Sequence, residues 1–362
     1  MKKVLVVDDS AFMRKLISDF LTASKQLEVI GIARNGEDAI SKINKLRPDV
    51  VTLDVEMPRM NGIEALRRIM GECPVPVVML SSTTREGAEE TFKAMELGAV
   101  DFIAKPSGTI SLDLHKVQDE IVEKVVAASK VNMTKMTKTY GKRKRSELKG
   151  SSRQANGTEL TTASESNWSM NSPKIILIGT STGGPRALQQ VLTELPPNLD
   201  APVVVVQHMP PGFTRSLANR LDGQSVIKVK EAEHEEILQK GTAYIAPGGF
   251  HTKVVEFGSQ LSIHLSKEEA PRNGHRPSVD ILFESVSLIR DYGKIAVIMT
   301  GMGSDGSEGL IKLKERGEVR AIAESEESCI VFGMPKSAIA TNLVDSVETI
   351  GDISQTIMKY ML

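Results

Sequence analysis

The chain has 362 residues, of which 40% are hydrophobic and 25% are charged, and this composition excludes a disordered or fibrous protein. The length predicts two domains, because a single hydrophobic core rarely extends beyond about 250–300 residues. The net charge of −1 excludes the strong positive field with which proteins attract nucleic acid or anionic lipid, so we expect no nucleic-acid partner.

The sequence also indicates a cytoplasmic protein. Its two cysteines, Cys73 and Cys329, lie far apart in the chain, which favours a reducing compartment and argues against a structural metal site. The first apolar run, Val4–Val7, is too short for a signal peptide, and no later run is long enough to span a membrane. We therefore expect no direct insertion into a membrane.

Residues 1–125 predict a domain in which strands and helices alternate. The predicted strands are Val4–Val7, Leu27–Ala33, Val50–Asp54, Val77–Leu80 and Val100–Ile103. Between them apolar residues recur at helical spacing, so the pattern is βα repeated five times. Such a pattern predicts a doubly wound parallel sheet with helices on both faces.

Chemically reactive side chains stand at the ends of these strands. Asp8 and Asp9 follow the first strand, Asp54 ends the third, Ser81 follows the fourth and Lys105 follows the fifth. Taken singly, paired aspartates are also typical of a helix N-cap, and Lys-Pro is typical of a turn. Together they should converge at one edge of the sheet, where three carboxylates favour Mg²⁺. A hydroxyl and an ammonium beside them predict a pocket that accepts a phosphoryl group.

The motifs VVDDS, LDVEMPRMNG, LSS and AKPSG resemble those of the receiver domains of two-component response regulators. The resemblance covers essentially all of residues 1–125 and implies a flavodoxin-like fold in which Asp54 is phosphorylated with Mg²⁺ as cofactor. The implied Mg²⁺ ligands are Asp8, Asp9, Asp54 and the backbone carbonyl of Glu56, the implied switch residues are Ser81 and Phe102, and Lys105 is the implied phosphate contact. Asn61 departs from the family's usual aspartate, in what we expect to be a turn before Gly62.

Residues 126–172 are predicted to form a polar linker rich in Lys, Arg, Ser, Thr, Asn and Gly. Its basic run, Gly141–Arg145, has two interpretations: a nucleic-acid patch or, as we favour, a solvated linker. Trp168 interrupts the polar run and is a candidate for packing on a domain.

Residues 173–362 predict a second, larger α/β domain. The predicted strands are Lys174–Ile178, Val203–Gln207 and Ile295–Met299, and the predicted helices are Ala187–Glu194, Phe213–Leu221 and Val279–Tyr292. A β-hairpin of Lys253–Phe257 and Gln260–Leu265 is predicted between the second and the third of these helices. Further βα units are expected to run to the last residue. The pattern predicts a second doubly wound, Rossmann-like sheet with a hairpin insertion.

A serine, a histidine and an aspartate follow three strands of this second domain. Ser181 lies in the Gly-rich turn after the first strand, His208 follows the next, and Asp305 follows the strand Ile295–Met299. The turn could also cradle a phosphate, but it matches neither a P-loop nor GxGxxG. It satisfies G-x-S-x-G literally, yet the order Ser, His, Asp differs from that of the α/β-hydrolases, so the motif alone is weak. A nucleophile, a base and an orienting carboxylate at one sheet edge predict a serine hydrolase.

The motifs GTSTGGP, QHMPPGFTRSLANRL and MTGMGSDG resemble those of the chemotaxis protein-glutamate methylesterases, the CheB family, over residues 173–360. The resemblance implies Ser181 as nucleophile, His208 as general base and acid, and Asp305 as orienting residue. It implies the Met302 N–H as an oxyanion donor, with Thr182 nearby. It further implies methyl-accepting chemotaxis receptors as substrates, a chemotaxis histidine kinase as phosphodonor, a second activity as protein-glutamine deamidase, and no cofactor for the esterase.

Other polar residues of this domain have no assigned role in the triad. His251 and His264, in the hairpin region, are expected to be exposed and structural, and His234 and His275 are left unassigned. Arg215 is expected either to orient the substrate backbone or to pair with an acidic side chain. Two rival functions remain at this point: a DNA-binding output domain, against which the absence of a helix-turn-helix pattern argues, and a non-catalytic adaptor, against which the complete triad argues.

A polar linker of roughly forty residues cannot transmit force as a rod. We therefore expect the unphosphorylated receiver to dock over the cleft around Ser181 and His208. Phosphorylation of Asp54 should move Ser81 and Phe102 and weaken that dock.

Overall fold

The computed structural model describes residues 1–82, 84–105, 114–133 and 172–362. Most of the predicted linker, including the basic run Gly141–Arg145 and Trp168, lies outside the described residues. In the described part of the chain, none of the helices is long and apolar enough to cross a lipid bilayer.

The first domain contains a five-stranded parallel sheet in the order β2-β1-β3-β4-β5. Its strands are β1 (Lys2–Val7), β2 (Leu27–Ala33), β3 (Val50–Asp54), β4 (Val77–Ser81) and β5 (Asp101–Ala104). Its helices are α1 (Ala11–Ala23), α2 (Gly36–Leu46), α3 (Gly62–Glu72), α4 (Arg85–Leu97) and α5 (Leu114–Ala128). The predicted (βα)₅ pattern is therefore confirmed, and the order of the strands gives a doubly wound sheet.

Local sequence determines where these helices begin. The side chains of Ser10, Asn35, Asn61 and Thr84 each accept a hydrogen bond from a backbone N–H in the first turn of the helix that follows. Asn61, the departure from the receiver pattern, thus caps α3 through the N–H of Glu64 at 2.9 Å. An asparagine satisfies this role as well as an aspartate does.

The second domain contains a seven-stranded parallel sheet in the order β14-β13-β12-β6-β7-β9-β8. Its strands are β6 (Lys174–Thr180), β7 (Val203–Gln207), β8 (Lys228–Glu231), β9 (Thr242–Ile245), β12 (Gly293–Ile298), β13 (Val319–Glu324) and β14 (Ser346–Glu348). Its helices are α6 (Gly184–Glu194), α7 (Phe213–Asp222), α8 (Val279–Ser287), α9 (Ser307–Arg316), α10 (Met334–Ala340) and α11 (Ile353–Met361). The strands that follow β6 in the chain, β7 to β9, lie on one side of it, and the strands that follow β12 lie on the other side. The strand order therefore reverses between β6 and β12.

The predicted hairpin is present, as an antiparallel pair of β10 (His251–Phe257) and β11 (Gln260–Ser266) outside the main sheet. The predicted fold class, with two doubly wound sheets and a hairpin insertion, is confirmed. The helix boundaries differ in places: α6 begins at Gly184, three residues before the predicted start, and α7 ends one residue later than predicted. The largest difference is that α8 ends at Ser287 rather than Tyr292, because Leu288 N–H already bonds to the Ser285 carbonyl and the chain turns towards β12.

Candidate functional site

The first candidate site is the acidic pocket of the first domain. Ligand atoms of Asp8, Asp9 and Asp54 lie within 4.8 Å of one another, so the structure brings the three predicted carboxylates together. Lys105 Nζ lies 2.7 Å from Asp54 Oδ1 and 3.1 Å from Asp8 Oδ2. The backbone N–H of Glu56 donates to Asp54 Oδ1 at 3.3 Å, so the residue whose carbonyl is a predicted ligand adjoins the same carboxylate.

Asp54 is almost completely buried, and burial together with the negative charge of Asp8 raises its pKa to about 6, although Lys105 opposes the shift. Its second carboxylate oxygen, Oδ2, is buried and has no hydrogen-bond partner among the described residues. Burial of a carboxylate oxygen without a partner costs free energy, because the oxygen loses its hydration, and a bound divalent cation would offset this loss. The residues present therefore fit Mg²⁺.

Among the described residues, the hydrogen bonds and ring contacts of the predicted switch residues are made with groups other than Asp54. Ser81 Oγ donates to the carbonyl of Gly87 at 2.9 Å, near the start of α4. Phe102 is buried, and its ring packs against Phe213 of the second domain, with centroids 4.7 Å apart and planes 25° apart. Both side chains therefore engage groups away from the acidic pocket.

The second candidate site begins at the Gly-rich turn that holds Ser181. Strand β6 runs to Thr180, so Ser181 is the first residue after the central strand of the sheet. Gly183, at φ +80°, adopts a left-handed conformation that favours glycine. At Gly184 a Cβ would lie 1.9 Å from Gln207 Oε1 and 2.5 Å from Thr180 Oγ1, so a larger residue would force these two buried side chains to move. These two glycines allow α6 to begin directly behind the serine.

Thr300, which directly follows Met299 after β12, holds this turn in place. Its carbonyl accepts the N–H of Ser181 at 3.0 Å, and its hydroxyl donates to the carbonyl of Thr182 at 2.9 Å. Its own N–H donates to the buried carboxylate of Glu324 at 2.8 Å. The roles of Thr300 and Glu324 were not predicted, since nothing in their local sequence indicates contact with a turn so distant in the chain.

His208 and Asp305 form the polar pair beside this turn. His208 follows β7, and its Nε2 lies 2.7 Å from Asp305 Oδ2. An ionised carboxylate can only accept a hydrogen bond, so Nε2 carries the proton and Nδ1 carries the lone pair. Nδ1 is buried and has no hydrogen-bond partner among the described residues. It is the ring nitrogen left to accept a proton from Ser181, to which no described hydrogen bond joins it in this substrate-free structure.

Asp305 is fixed by the N-terminus of α8. Its carboxylate accepts hydrogen bonds from the Ser278 hydroxyl at 2.8 Å and from the N–H groups of Val279 at 2.7 Å and Asp280 at 3.0 Å. Burial alone would raise the pKa of Asp305, but the hydrogen bond from His208 and those from the helix N-terminus outweigh it and hold the pKa well below its usual value. Asp305 is therefore ionised and oriented.

Two further predicted residues flank the serine. Met302 is partly exposed in the loop between Thr300 and Asp305, and among the described residues no acceptor pairs with its N–H. Thr182 is buried, and its hydroxyl donates to Asp101 Oδ2 of the first domain at 2.6 Å. The residue next to the candidate nucleophile is thus bound to the receiver.

The two domains meet over the second site. Asp101 and Phe102 of β5 contact Thr182 and Phe213, while Glu96 of α4 forms an ion pair with Arg220 of α7. Behind them, Lys124 of α5 lies 3.8 Å from Asp101, 2.9 Å from Glu120 and 2.7 Å from the Phe102 carbonyl. The strand that carries the predicted aromatic switch is therefore also part of the interface.

Other expectations had mixed outcomes. His251 was expected to be exposed, but it is fully buried, with Nε2 3.0 Å from the Ala270 carbonyl, because it begins a strand that packs against α8. His264 is exposed, as expected. Of the two alternatives for Arg215, the structure shows the pair with an acid: its Nε lies 3.0 Å from Glu231.

The two sheets and their polar clusters define a class of protein, a receiver domain joined to a second doubly wound domain that carries a serine, a histidine and an aspartate at one sheet edge. Comparison with known proteins gives the same result: the response regulator receiver domain family matches residues 4–115, and the CheB methylesterase family matches residues 176–357. The chain belongs to the CheB methylesterase family.

Similar proteins cover the whole chain. A protein-glutamate methylesterase/protein-glutamine glutaminase of Geobacillus kaustophilus is 58% identical over 357 residues, which span 99% of this chain and 98% of that protein. One of Bacillus subtilis is 52% identical over 363 residues, with 99% and 98% coverage. The crystal structure of the Thermotoga maritima CheB methylesterase catalytic domain is similar with a TM-score of 0.50 and 46% identity, covering 52% of this chain and 98% of that one.

Proposed function

We propose that this chain hydrolyses γ-methyl esters of glutamyl side chains on methyl-accepting chemotaxis receptors and deamidates receptor glutamines, under control of its own receiver domain. The observation that carries the proposal is the His208–Asp305 pair beside Ser181, with 2.7 Å between Nε2 and Oδ2 and with no hydrogen-bond partner for His208 Nδ1 in the part of the chain that the structure describes. The names of the relatives, protein-glutamate methylesterase/protein-glutamine glutaminase, point to the same substrates.

The first half of the reaction forms an acyl-enzyme. His208 Nδ1 takes the hydroxyl proton of Ser181 as Oγ attacks the γ-carbonyl carbon of the ester. Asp305 stabilises the imidazolium that results. When the tetrahedral intermediate collapses, the C–O bond to the methoxy group breaks, and His208 returns the proton to the leaving oxygen as methanol departs.

The second half releases the acid. His208 takes a proton from water, the hydroxyl attacks the acyl carbon, and the bond to Ser181 Oγ breaks as that oxygen regains its proton. For a receptor glutamine the same steps release ammonia instead of methanol. The Met302 N–H, with Thr182 nearby, is proposed to donate to the oxyanion in both halves.

The receiver half is proposed to carry the control. Receiver domains in general are phosphorylated by histidine kinases with Mg²⁺, and here we assign Asp54 as acceptor of the phosphoryl group from a chemotaxis histidine kinase. Asp8, Asp9, Asp54 and the Glu56 carbonyl would hold the Mg²⁺, which neutralises the carboxylates and the incoming phosphoryl oxygens. Lys105, already 2.7 Å from Asp54, contacts the phosphoryl group.

Docking of the receiver is the proposed means of inhibition. Asp101 binds the hydroxyl of Thr182, next to the nucleophile, and Phe102 stacks on Phe213 at the start of the helix that follows His208. These contacts support occlusion of a bulky receptor helix. Reorientation of Ser81 and Phe102 on phosphorylation would weaken them.

We further propose domain boundaries at 1–125 for the receiver, 126–172 for the linker and 173–362 for the esterase, and a cytoplasmic location. The last receiver helix, α5, continues to Ala128, three residues past the first of these boundaries. Neither cofactor nor metal is assigned to the esterase reaction, since Ser181, His208 and Asp305 supply its nucleophile, base and orienting charge.

Methanol release from methylated receptor membranes tests the proposal. Ser181→Ala should reduce release by several orders of magnitude, because removal of one triad member disables the whole unit. Ser259→Ala, an exposed serine in the hairpin turn, is the matched control and should keep wild-type release. Near wild-type release by a folded Ser181→Ala protein would exclude Ser181 as the nucleophile.

A further inference from the structure

A second imidazole lies against the ring of His208. The rings of His208 and His275 are stacked, with centroids 3.8 Å apart and planes only 9° apart. His275 belongs to the loop between β11 and α8, and the sequence analysis assigned it no role. Such a close, nearly parallel arrangement places the face of one ring over the face of the other.

The loop that carries His275 is anchored, so the stack is a fixed feature of the fold. The backbone groups of Arg272 and His275 exchange hydrogen bonds at 3.0 and 2.9 Å. The guanidinium of Arg272 binds Glu284 of α8 through two bonds of 3.0 and 3.3 Å. Since α8 also holds Asp305 at its N-terminus, one helix supports both partners of His208.

The surroundings of His275 keep its ring neutral. Burial, followed by the nearby charge of His208, lowers the pKa of His275 to about 4; Lys124 acts in the same direction, while Asp305 and Glu120 oppose the shift. At neutral pH a neutral ring therefore faces His208. A neutral aromatic face attracts a cation placed over it, whereas a second imidazolium would repel one.

His208 needs a restraint of this kind. Its bond to Asp305 fixes one nitrogen but leaves the ring able to turn about that bond. Nδ1 has no hydrogen-bond partner among the described residues that would prevent such a rotation. A ring stacked on its face prevents it, because turning would break the contact.

We propose that His275 is a positioning residue for the esterase reaction: its ring fixes the plane of His208, so that Nδ1 stays directed at Ser181 while Nε2 stays on Asp305, and it supports the positive charge that His208 gains. This proposal rests on the proposed function. His275 itself exchanges no proton, so an aromatic ring without nitrogen should replace it.

The kinetic test uses the full chain with a small phosphodonor, Mg²⁺ and methylated receptor membranes. His275→Ala should lower kcat about tenfold, the upper range for loss of an aromatic pair, with KM within about twofold of wild type. His275→Phe should restore most of kcat. His264→Ala, an exposed histidine of the hairpin, is the control and should behave as wild type. An unchanged kcat in His275→Ala would overturn the proposal, as would an increase in KM without a decrease in kcat. A His275→Phe protein as slow as His275→Ala would overturn it as well.

A second measurement is independent of turnover. By NMR, the Nε2 proton of His208 should give a low-field resonance in wild type and in His275→Phe, and this resonance should broaden or disappear in His275→Ala as the ring becomes free to turn. The same sharp resonance in all three proteins would contradict positioning. If wild type released no methanol while the resonances behaved as described, the proposed function would fail and the positioning role would stand.

Discussion

At the scale of single residues, Asp305 does more than orient His208. Its two oxygens accept four hydrogen bonds, from His208, the Ser278 hydroxyl and the N–H groups of Val279 and Asp280. The neighbouring carboxyl of Asp280 responds to this charge: burial and Asp305 raise its pKa to about 7. The negative charge of the triad is therefore concentrated on Asp305, where the helix N-terminus stabilises it.

We predict that Asp305→Asn lowers kcat by about two to four orders of magnitude, less than Ser181→Ala, because the amide keeps the shape but no longer stabilises the imidazolium or selects the tautomer. The measurement is methanol release at saturating receptor. Asp291→Asn, an exposed aspartate of the same domain, is the control. Equal rates of methanol release for Asp305→Asn and wild type would show that Asp305 has no role in the reaction.

His275 also leads to a prediction about stability. Its pKa is about 4 in the folded chain and near 6.5 when unfolded, so between these values the unfolded chain binds more protons and stability rises with pH. Acidification from about pH 7.5 to pH 5 should therefore lower the Tm of wild type more than that of His275→Phe, which cannot titrate there. Differential scanning calorimetry at both pH values checks this. Equal shifts in the two proteins would mean that His275 is not held neutral.

The acidic pocket predicts a response to Mg²⁺. Binding to the folded receiver alone should stabilise it by about 2.7 kcal/mol at a concentration 100 times Kd, and thus raise its Tm. Asp9→Asn should abolish most of this rise, whereas Asp19→Asn, an exposed aspartate paired with Lys15, should keep it. Thermal scans with and without Mg²⁺ give the answer. A full Mg²⁺ response in Asp9→Asn would place the cation elsewhere.

At the scale of the elements, the sequence predicted strands best where the local pattern of residues determines them. Short runs rich in β-branched residues predicted Leu27–Ala33, Val50–Asp54 and Val203–Gln207 with the bounds that the structure has. The flanking strands β8 and β9 were not predicted, because they have four residues each and little alternation of their own; their pairing with each other and with β7 depends on tertiary context.

The same division holds for the candidate sites. Residues at strand ends could be predicted, because parallel strands direct their carboxyl ends to one edge. Contacts made by loops could not: the stack of His275 on His208, the support of Ser181 by Thr300, and the hydrogen bond of Asp101 to Thr182 each join segments distant in sequence. The spacing of apolar residues along the chain does not indicate such a contact.

Strand β5 is one of the elements that join the two domains, together with α4. We predict that Asp101→Ala raises the activity of the unphosphorylated chain by about tenfold, because loss of a hydrogen bond to a charged group weakens the docked state by that order. Asp119→Ala, an exposed aspartate of α5, is the control. Unchanged basal methanol release in Asp101→Ala would mean that its bond to Thr182 does not hold the receiver in place.

At the scale of the whole molecule, the chain combines a phosphoryl-accepting pocket and a hydrolase site through an interface that touches both. Phe102 of β5 packs on Phe213 of α7. Lys105 follows Phe102 by three residues in the receiver, and His208 precedes Phe213 by five residues in the second domain. A tethered interface of this kind needs only a few kcal/mol to keep the open form scarce. We therefore predict that a modest change at Asp54 is enough to expose Ser181.

The most direct test compares methanol release by three preparations on methylated receptor membranes: the intact unphosphorylated chain, the intact chain with phosphodonor and Mg²⁺, and a fragment beginning near Asn171. The catalytic domain of the Thermotoga maritima relative was crystallised as a separate domain, which makes such a fragment practicable. We predict that the fragment is faster than the unphosphorylated chain, and that phosphodonor accelerates the intact chain but neither the fragment nor Asp54→Asn. A fragment no faster than the unphosphorylated chain would contradict occlusion by the receiver.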